Sequence, residues 1–482
     1  MTLITIARHR TALSRHEPSR PIRLAINNGL INSETHVLDY GCGRGADIQF
    51  LSSSGIHCTG WDPVFSPGVK LTPADVVNLG YVVNVIEDSS ERDEVIRKAW
   101  ALTRKLLIIS ARLTLEAKDK NYALYEDGFL TRRATFQKYF EQHELRGWID
   151  NILGVTSVPA APGVFYVFRD ENLKQSFSAS KYRRHISAPR QRRSDAIFEK
   201  YRELFGPLMG FIASRGRLPN STELSIVKAI EGELGSLRQA FRIIQRVTGS
   251  EQWERIREDR SQDLLLFLAL SRFGGRPRLS ALPFDIQLDI KAFFSSYRYA
   301  CELADALLFS AGNLNLINEA CQKSPLGKLT PGALYIHVSA LMHLPHILRV
   351  YEGCARAYIG AVEGANIIKL HRGVPQVSYL CYPGFDKDPH PTLLASLIVP
   401  LKTFHIHYRE YTDSKNPPIL HRKEAFLHLD HPLRDKFDRL TRQEEKHGLY
   451  KETHTIGTRD AWDALLEERK LRYSGHRLVK NT

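Results

Sequence analysis

Val37-Leu38-Asp39-Tyr40-Gly41-Cys42-Gly43-Arg44-Gly45 decides how this chain reads. It is the end of an apolar strand, an acid, and then glycine at three alternate positions. Glycine has no Cβ, so it adopts positive φ readily and lets a ligand approach the backbone closely. A glycine turn from strand to helix lies at the carboxyl edge of an open α/β sheet, where such sheets bind ligands. It would also point backbone N–H groups at the ligand. A second short segment closes on Gly60-Trp61-Asp62-Pro63, with Asp62 placed where a carboxylate would hold a ribose diol. Dinucleotide-binding loops space their glycines Gly-x-Gly-x-x-Gly around a pyrophosphate. Here the spacing is Gly-x-Gly-x-Gly and an acid precedes it.

That difference points to a ligand without phosphate. S-adenosylmethionine (SAM) carries an ammonium and a sulfonium, so an acid at the loop suits it. The arrangement resembles the cofactor half of a class I SAM-dependent methyltransferase. Asp39, Gly41, Gly43, Gly45 and Asp62 are then the candidate SAM-binding residues, and no metal is implied.

The surrounding pattern alternates strands and helices. Strands are expected at His36 to Tyr40, His57 to Trp61, Asp75 to Leu79, Lys105 to Ser110 and Gly163 to Arg169. Helices are expected at Ala46 to Ser53, Asp88 to Arg104 and Thr135 to Gln142. Such alternation implies a parallel sheet covered by helices on both faces. The fold class is therefore α/β, a Rossmann-like methyltransferase domain over residues 35–170. Its middle is short, because the stretch from Asp62 to Asp75 has no room for another strand and helix. Before it, residues 1–34 form a basic arm and a short helix, with Ser19 as cap, Pro21 in the first turn and Gly29 as stop. A basic linker (171–195), a mainly helical domain (196–325) and a His/Arg-rich α+β domain (330–482) follow.

Composition narrows the partners. The net charge is +14 and the pI about 9.4, which favours a polyanion, most simply nucleic acid. Between Lys181 and Arg193 there are Lys181, Arg183, Arg184, Arg190, Arg192 and Arg193, and no acid. Basic turns occur at Arg215-Gly216-Arg217 and Arg276-Pro277-Arg278. Both kinds of segment would suit a phosphate backbone or bulk water. The six cysteines are scattered without a Cys-x-x-Cys pair, which fits a reducing, cytoplasmic setting rather than a disulfide framework. No apolar run is long enough to span a bilayer, and the first residues are no signal peptide. Thirteen of the nineteen histidines lie beyond residue 330, yet their spacings match no metal-ligand pattern. His405 and His407 fit one face of a half-buried strand.

The methyl-acceptor side would be formed by Asn78-Leu79-Gly80-Tyr81. Amino-group DNA methyltransferases place Asn/Asp-Pro-Pro-aromatic at this strand end. There a polar group accepts from the target amine and the aromatic ring stacks on a flipped base. Asn78 and Tyr81 keep the outer positions and are the candidate catalytic residues; Leu79 and Gly80 replace the prolines. The literal Asn416-Pro417-Pro418-Ile419 lacks the aromatic and reads as a turn.

Several long segments resemble the DNA phosphorothioation-associated methyltransferases. They are Ser19 to Ala25, Asp39 to Gly45, Gly60 to Pro63, Ala74 to Asp88, and Asn416 to Glu424. The resemblance implies a SAM-dependent fold and bacterial genes beside sulfur-modification defence systems, with partner proteins of such a system. It also implies that Asp75 joins the cofactor-binding residues and supports the role of Asn78 beside the transferred methyl. It leaves three functions open: methyl transfer to nucleic acid, a SAM-binding sensor that docks on DNA without transfer, or a tRNA, protein or small-molecule methyltransferase.

Overall fold

A computed structural model describes residues 6–117, 122–192 and 195–481. The chain divides into two compact units. The first comprises Met1–Asp170, Gly327–Val338 and Cys354–Thr482; the second comprises Glu171–Leu326 and Ser339–Gly353.

The first unit opens with the arm and helix α1 (Arg20–Asn27), followed by Gly29 at φ +69°; Ser19 holds the N-cap position, but its Oγ makes no capping hydrogen bond. Then come β1 (Val37–Tyr40), α2 (Ala46–Ser53), β2 (Cys58–Trp61), β3 (Ala74–Gly80), α3 (Ser89–Ala101) and β4 (Thr103–Ser110). A small three-stranded sheet follows, from β5 (Ala123–Tyr125), β6 (Gly128–Leu130) and β7 (Phe136–Gln137). Helix α4 (Gln142–Leu153) leads into β8 (Val158–Ala161) and β9 (Val164–Phe168). The main sheet has the order β2-β1-β3-β4-β9-β8. Strands β2, β1, β3 and β4 run parallel, with Asp39 opposite both Gly60 and Asn78. This is a Rossmann-like sheet with β2 at its edge, and no strand of the main sheet lies between β2 and β3 in sequence. Leu38, Leu79, Leu107, Ile109 and Phe165 pack beneath it with Ile96 and Ala99 of α3 and Leu145 and Ile149 of α4. Apolar burial of this kind contributes roughly 1.5–3 kcal/mol per large side chain.

Two expectations need correction. The sheet is mixed: β9 is antiparallel to β4 and β8 to β9, because a tight turn at Gly163 (φ +72°) folds the last two strands into a hairpin. The helix expected at Thr135 to Gln142 is absent. Phe136 and Phe140 are four apart, which mimics a helical stripe, but both are buried from extended backbone, Phe136 opposite Leu130. The helix begins only after Glu141, whose backbone N–H donates to the Glu144 carboxylate at 3.1 Å.

The second unit is helical: α5 (Glu171–Ser180), α6 (Ala196–Lys200), α7 (Arg202–Arg215), α8 (Val227–Leu234), α9 (Leu237–Thr248), α10 (Ser250–Leu270), α11 (Phe284–Phe293), α12 (Tyr297–Ser310) and α13 (Leu314–Lys323). Two of its breaks come from capping residues: Ser236 Oγ accepts from Gln239 N at 3.2 Å, and Ser296 Oγ from Tyr299 N at 3.1 Å. Residues 171–195, expected as a linker, thus begin as α5. Arg215 and Arg217 of the basic turns are buried, Arg215 against Asp285 and Asp289, Arg217 against Asp289 and Glu223. Arg276 pairs with Asp305. Arg215, Arg217 and Arg276 therefore hold the unit together, whereas Arg278 of the second turn is exposed.

The remainder of the first unit holds an antiparallel sheet of β10 (Lys328–Leu329), β11 (Ala333–His337), β12 (Ile367–His371), β13 (Gln376–Cys381), β14 (Ala395–Pro400) and β15 (His407–Glu410), in that order. Helix α14 (His346–Ile359) comes after β11, its residues up to Gly353, Arg349 among them, belonging to the second unit; α15 (Arg434–Lys446), α16 (Arg459–Glu468) and the pair β16 (Leu471–Tyr473) and β17 (Leu478–Lys480) end the chain. Strand β15 is an exposed edge, so His405 and His407 do not lie on a half-buried face. The Asn416 to Glu424 segment is more than a turn. Pro418 and Ile419 form bridges to Thr458 and Thr392, and His421, Lys423 and Glu424 are buried.

Candidate functional site

The chain leaves β1 at Tyr40 and turns through Gly41 (φ +86°), Gly43 (φ +52°) and Gly45 (φ +77°), the last being the N-cap of α2. All three need left-handed backbone that other residues adopt only at a cost. Gly41 is also short of space, since a Cβ there would lie 2.5 Å from Val82 Cγ2.

The loop is tied to the end of β2. Gly41 N and Cys42 N donate to Trp61 O at 2.7 and 3.1 Å, Gly45 N donates to Cys42 O at 3.0 Å, and Gly43 N donates to Asp62 Oδ2 at 3.0 Å. Asp62 Oδ1 meanwhile accepts from Val64 N and Phe65 N at 2.8 and 2.9 Å. The N–H groups of Gly41, Cys42, Gly43 and Gly45 are thus engaged within the protein and do not converge on an open anion site. A carboxylate has about four lone-pair directions, and three backbone donors leave Asp62 roughly one, on Oδ2, for a hydroxyl.

Above the loop lies a cavity of about 650 Å³, within the roughly 300–1,000 Å³ usual for ligand sites. Its wall combines Gly41 to Arg44, Trp61 to Phe65, Gly80 to Val82, Asn84 to Ile86 and part of α3, including Glu91, Glu94 and Lys98. Arg112, Glu116 and Gln137 close one side, and the N-terminal arm closes another with Arg8, His9, Ala12 and Leu13. The arm is fastened by charge. Arg8 forks onto the Glu87 carboxylate at 2.8 and 2.9 Å and onto the Glu91 carboxylate at 2.6 and 2.7 Å. Burial pushes the Glu87 carboxyl up, and the bonds from Arg8 more than offset this, leaving it below its ordinary value. Farther along the arm, Arg15 Nη2 donates to Asp47 at 3.1 Å and Ser19 N at 2.6 Å.

The expected site residues separate into two groups. Gly41, Gly43, Asp62 and Tyr81 line the cavity. Tyr81 has φ +60°, and its N–H donates to Ser110 O at 2.9 Å; burial raises its hydroxyl pKa. Gly45 shapes the turn behind them. Asp39, Asn78 and Asp75 do not line the cavity. Asp39 and Asn78 are 3% and 1% exposed, and Asn78 Nδ2 donates to Asp39 Oδ1 at 2.8 Å. Burial, helped by the negative charge of Asp47, pushes the Asp39 carboxyl up to about 7 against the pull of Asn78. The acid that precedes the glycines therefore braces β1 to β3 beneath the loop. Asp75 lies at the opposite end of β3, five residues from Gly80, or ~17 Å at ~3.3 Å per residue. There it accepts from His36 N at 3.2 Å and pairs with Lys105.

No family model and no curated protein matches the chain. Among solved structures it is similar to three methyltransferases. A Burkholderia thailandensis 1,6-didemethyltoxoflavin-N1-methyltransferase, with 1,6-didemethyltoxoflavin and S-adenosylhomocysteine bound, is 16% identical over 34% of this chain and 78% of that one, with a TM-score of 0.23. A SAM-dependent methyltransferase from Aquifex aeolicus is 16% identical over 33% and 95%, with a TM-score of 0.24. A SAM-bound amino pentose methyltransferase from Micromonospora echinaspora is 14% identical over 31% and 88%, with a TM-score of 0.23. The likeness extends over about a third of the chain, at TM-scores that carry neither a fold assignment nor an activity.

Sequence reasoning passed over Arg8, Glu87, Glu91, Asn84, Arg112 and Glu116. One signal was present: a basic arm, Arg8-His9-Arg10, and an acidic run, Glu87-Asp88-Ser89-Ser90-Glu91, are complementary. Among the described residues, no group of three or more His, Cys, Asp or Glu side chains is placed to hold a metal ion.

Proposed function

We propose that the N-terminal α/β region binds SAM and directs its methyl group to nucleic acid, DNA in the first place. One observation carries the cofactor reading: the three-glycine loop borders a large cavity while its N–H groups are already engaged by Trp61, Cys42 and Asp62. A pyrophosphate needs free donors at such a loop and a positive helix end, but Asp47 places a carboxylate in the first turn of α2. A phosphate-free cofactor needs only the close approach that glycine allows. The free direction on Asp62 Oδ2 suits a ribose hydroxyl, and Tyr40 and Trp61 border the same space. When bound, SAM supplies an electrophilic methyl on its sulfonium.

Displacement at that methyl requires orientation of the acceptor above all. Tyr81 offers a ring at the cavity wall for stacking, and Glu116 and Arg112 offer polar contacts beside it. The net charge of +14 supports a polyanionic acceptor. The resemblance to phosphorothioation-associated methyltransferases points the same reading to DNA, to bacterial defence and to partner proteins of such a system.

The test is incubation with labelled SAM and separate DNA, RNA and protein pools. Label in DNA is expected; label only in protein or a small molecule refutes the acceptor. Asp62→Ala is expected to abolish both SAM binding and labelling. A second reading, a SAM-binding sensor that transfers no methyl, draws on Asn78. That side chain is bonded to Asp39 away from the cavity, so it does not orient an acceptor amine. SAM binding without label in any pool would favour it.

A further inference from the structure

The second unit divides the basic run beginning at Lys181 into spent and unspent cations. Lys181 Nζ lies 4.3 Å over the Phe177 ring, and Arg183 faces Asp289 at 3.9 Å. Arg184 pairs with Asp259 and, at 2.8 Å, with Asp263. Arg193 lies outside the described residues. Arg190 and Arg192 are different: both are exposed, and neither makes an ion pair among the described residues. The backbone at Arg192 is nonetheless fixed, its N–H donating to Val247 O at 3.0 Å.

These two line an open groove of about 420 Å³ together with Arg255 of α10, which is likewise exposed and unpaired. Pro189 and Ile256 supply apolar wall, and Gln252 contributes a buried Oε1 with no hydrogen-bond partner. Among the described residues no acid lines the groove. Elsewhere in this unit Arg215, Arg217, Arg276 and Arg349 are each matched to carboxylates. Three unmatched guanidinium groups at one concavity repel one another unless an anion sits among them.

We propose that this groove binds the phosphodiester backbone of a nucleic acid. The inference deepens the nucleic-acid half of the function proposed above and rests on it. The fork of an arginine fits a phosphate in a bidentate manner that lysine cannot reproduce. The groove is open and wider than a lone phosphate needs, so a continuous backbone suits it better. The apolar wall fits sugar edges between phosphates. Contacts of this type position the nucleic acid without reading its sequence.

The test uses the full chain and fluorescence anisotropy with labelled duplex DNA, and with RNA of the same sequence as a second arm. The Arg190→Ala/Arg192→Ala/Arg255→Ala variant is compared with the wild type across salt concentrations. Each lost phosphate contact removes ~0.9 from the slope of log affinity against log salt on duplex DNA. The variant is therefore expected to be shallower by about 2.7. Over a four-fold rise in salt, the wild type then loses about 40-fold more affinity than the variant. A control that removes three exposed lysines of the first unit (Lys402→Ala/Lys415→Ala/Lys446→Ala) is expected to keep the wild-type slope. Equal slopes in wild type and arginine variant, or an equal fall in the lysine control, overturn the groove while leaving the nucleic-acid reading standing. Failure of the wild type to bind either nucleic acid overturns both.

Discussion

Asp39 offers a direct way to separate a brace from a ligand. It is fully enclosed, its carboxyl is pushed from 3.8 to about 7 by burial and by Asp47, and its one partner is the Asn78 amide. In the unfolded chain it titrates near the ordinary value. A raised folded pKa means that the folded state retains its proton where the unfolded state has lost it. The associated stability is complete below about pH 3.8 and is lost progressively as pH rises to about 7. The full loss for a shift of this size is about 4 kcal/mol at 1.36 kcal/mol per pKa unit. Between pH 5 and 8 it amounts to roughly 2–3 kcal/mol.

Asp39→Asn keeps the shape and the contact with Asn78 and removes the titration. Urea unfolding at pH 5 and pH 8 is the assay. The wild type is expected to lose about 2–3 kcal/mol more than the variant over that interval. An identical pH dependence in the two proteins would refute the burial argument. SAM titration into the same variant settles the other half. A brace changes affinity by no more than a few fold, whereas loss of a charged contact to the methionine ammonium costs tenfold or more, at 1.4 kcal/mol per decade.

Other perturbations test the rest of the site. Gly41→Ala combines a left-handed φ with a 2.5 Å approach to Val82. It is expected to destabilise the protein by about 1–3 kcal/mol and to weaken SAM binding; adding Val82→Ala relieves the clash but not the backbone strain, as calorimetry would show. Arg8→Ala frees Glu87 and Glu91. Because Arg8 is partly exposed, the stability cost is at most about 1 kcal/mol, while the arm becomes accessible to limited proteolysis and bound SAM should protect it less. Glu444→Gln keeps the shape but removes the buried carboxylate that lies 2.7 Å from His390 Nε2 and accepts from Tyr450 and Tyr473, and should cost about 1–3 kcal/mol by denaturant unfolding. Burial pushes Glu444 up, but His390, Tyr450 and Tyr473 hold it below its ordinary 4.5. Its contribution is present above that value and is lost as pH falls through the lower folded one.

The local features of the site were legible and the long-range ones were not, for a physical reason. A strand end, three glycines and the following helix are encoded within a dozen residues, so α2 and the edges of β1, β3 and β4 could be placed almost to the residue. The role of Asp39 depends on parallel register, which sets Asn78 opposite it 39 residues later. No local pattern reveals that the acid faces inward. The arm depends on Arg8 meeting partners 79 and 83 residues away. The same holds for the basic turns: Arg217 looks free until α11 brings Asp289 within 2.7 Å, 72 residues downstream. A cation in a turn costs little in water, so sequence cannot say whether an acid from another helix neutralises it. Pairing can, and it leaves Arg190, Arg192 and Arg255 as an unmatched group in this helical unit. The charge of the whole chain is thus a weak guide to where a polyanion would bind. The residue-by-residue matching of arginines to carboxylates is the stronger one, because only unmatched guanidinium groups gain a new partner without first breaking an old one.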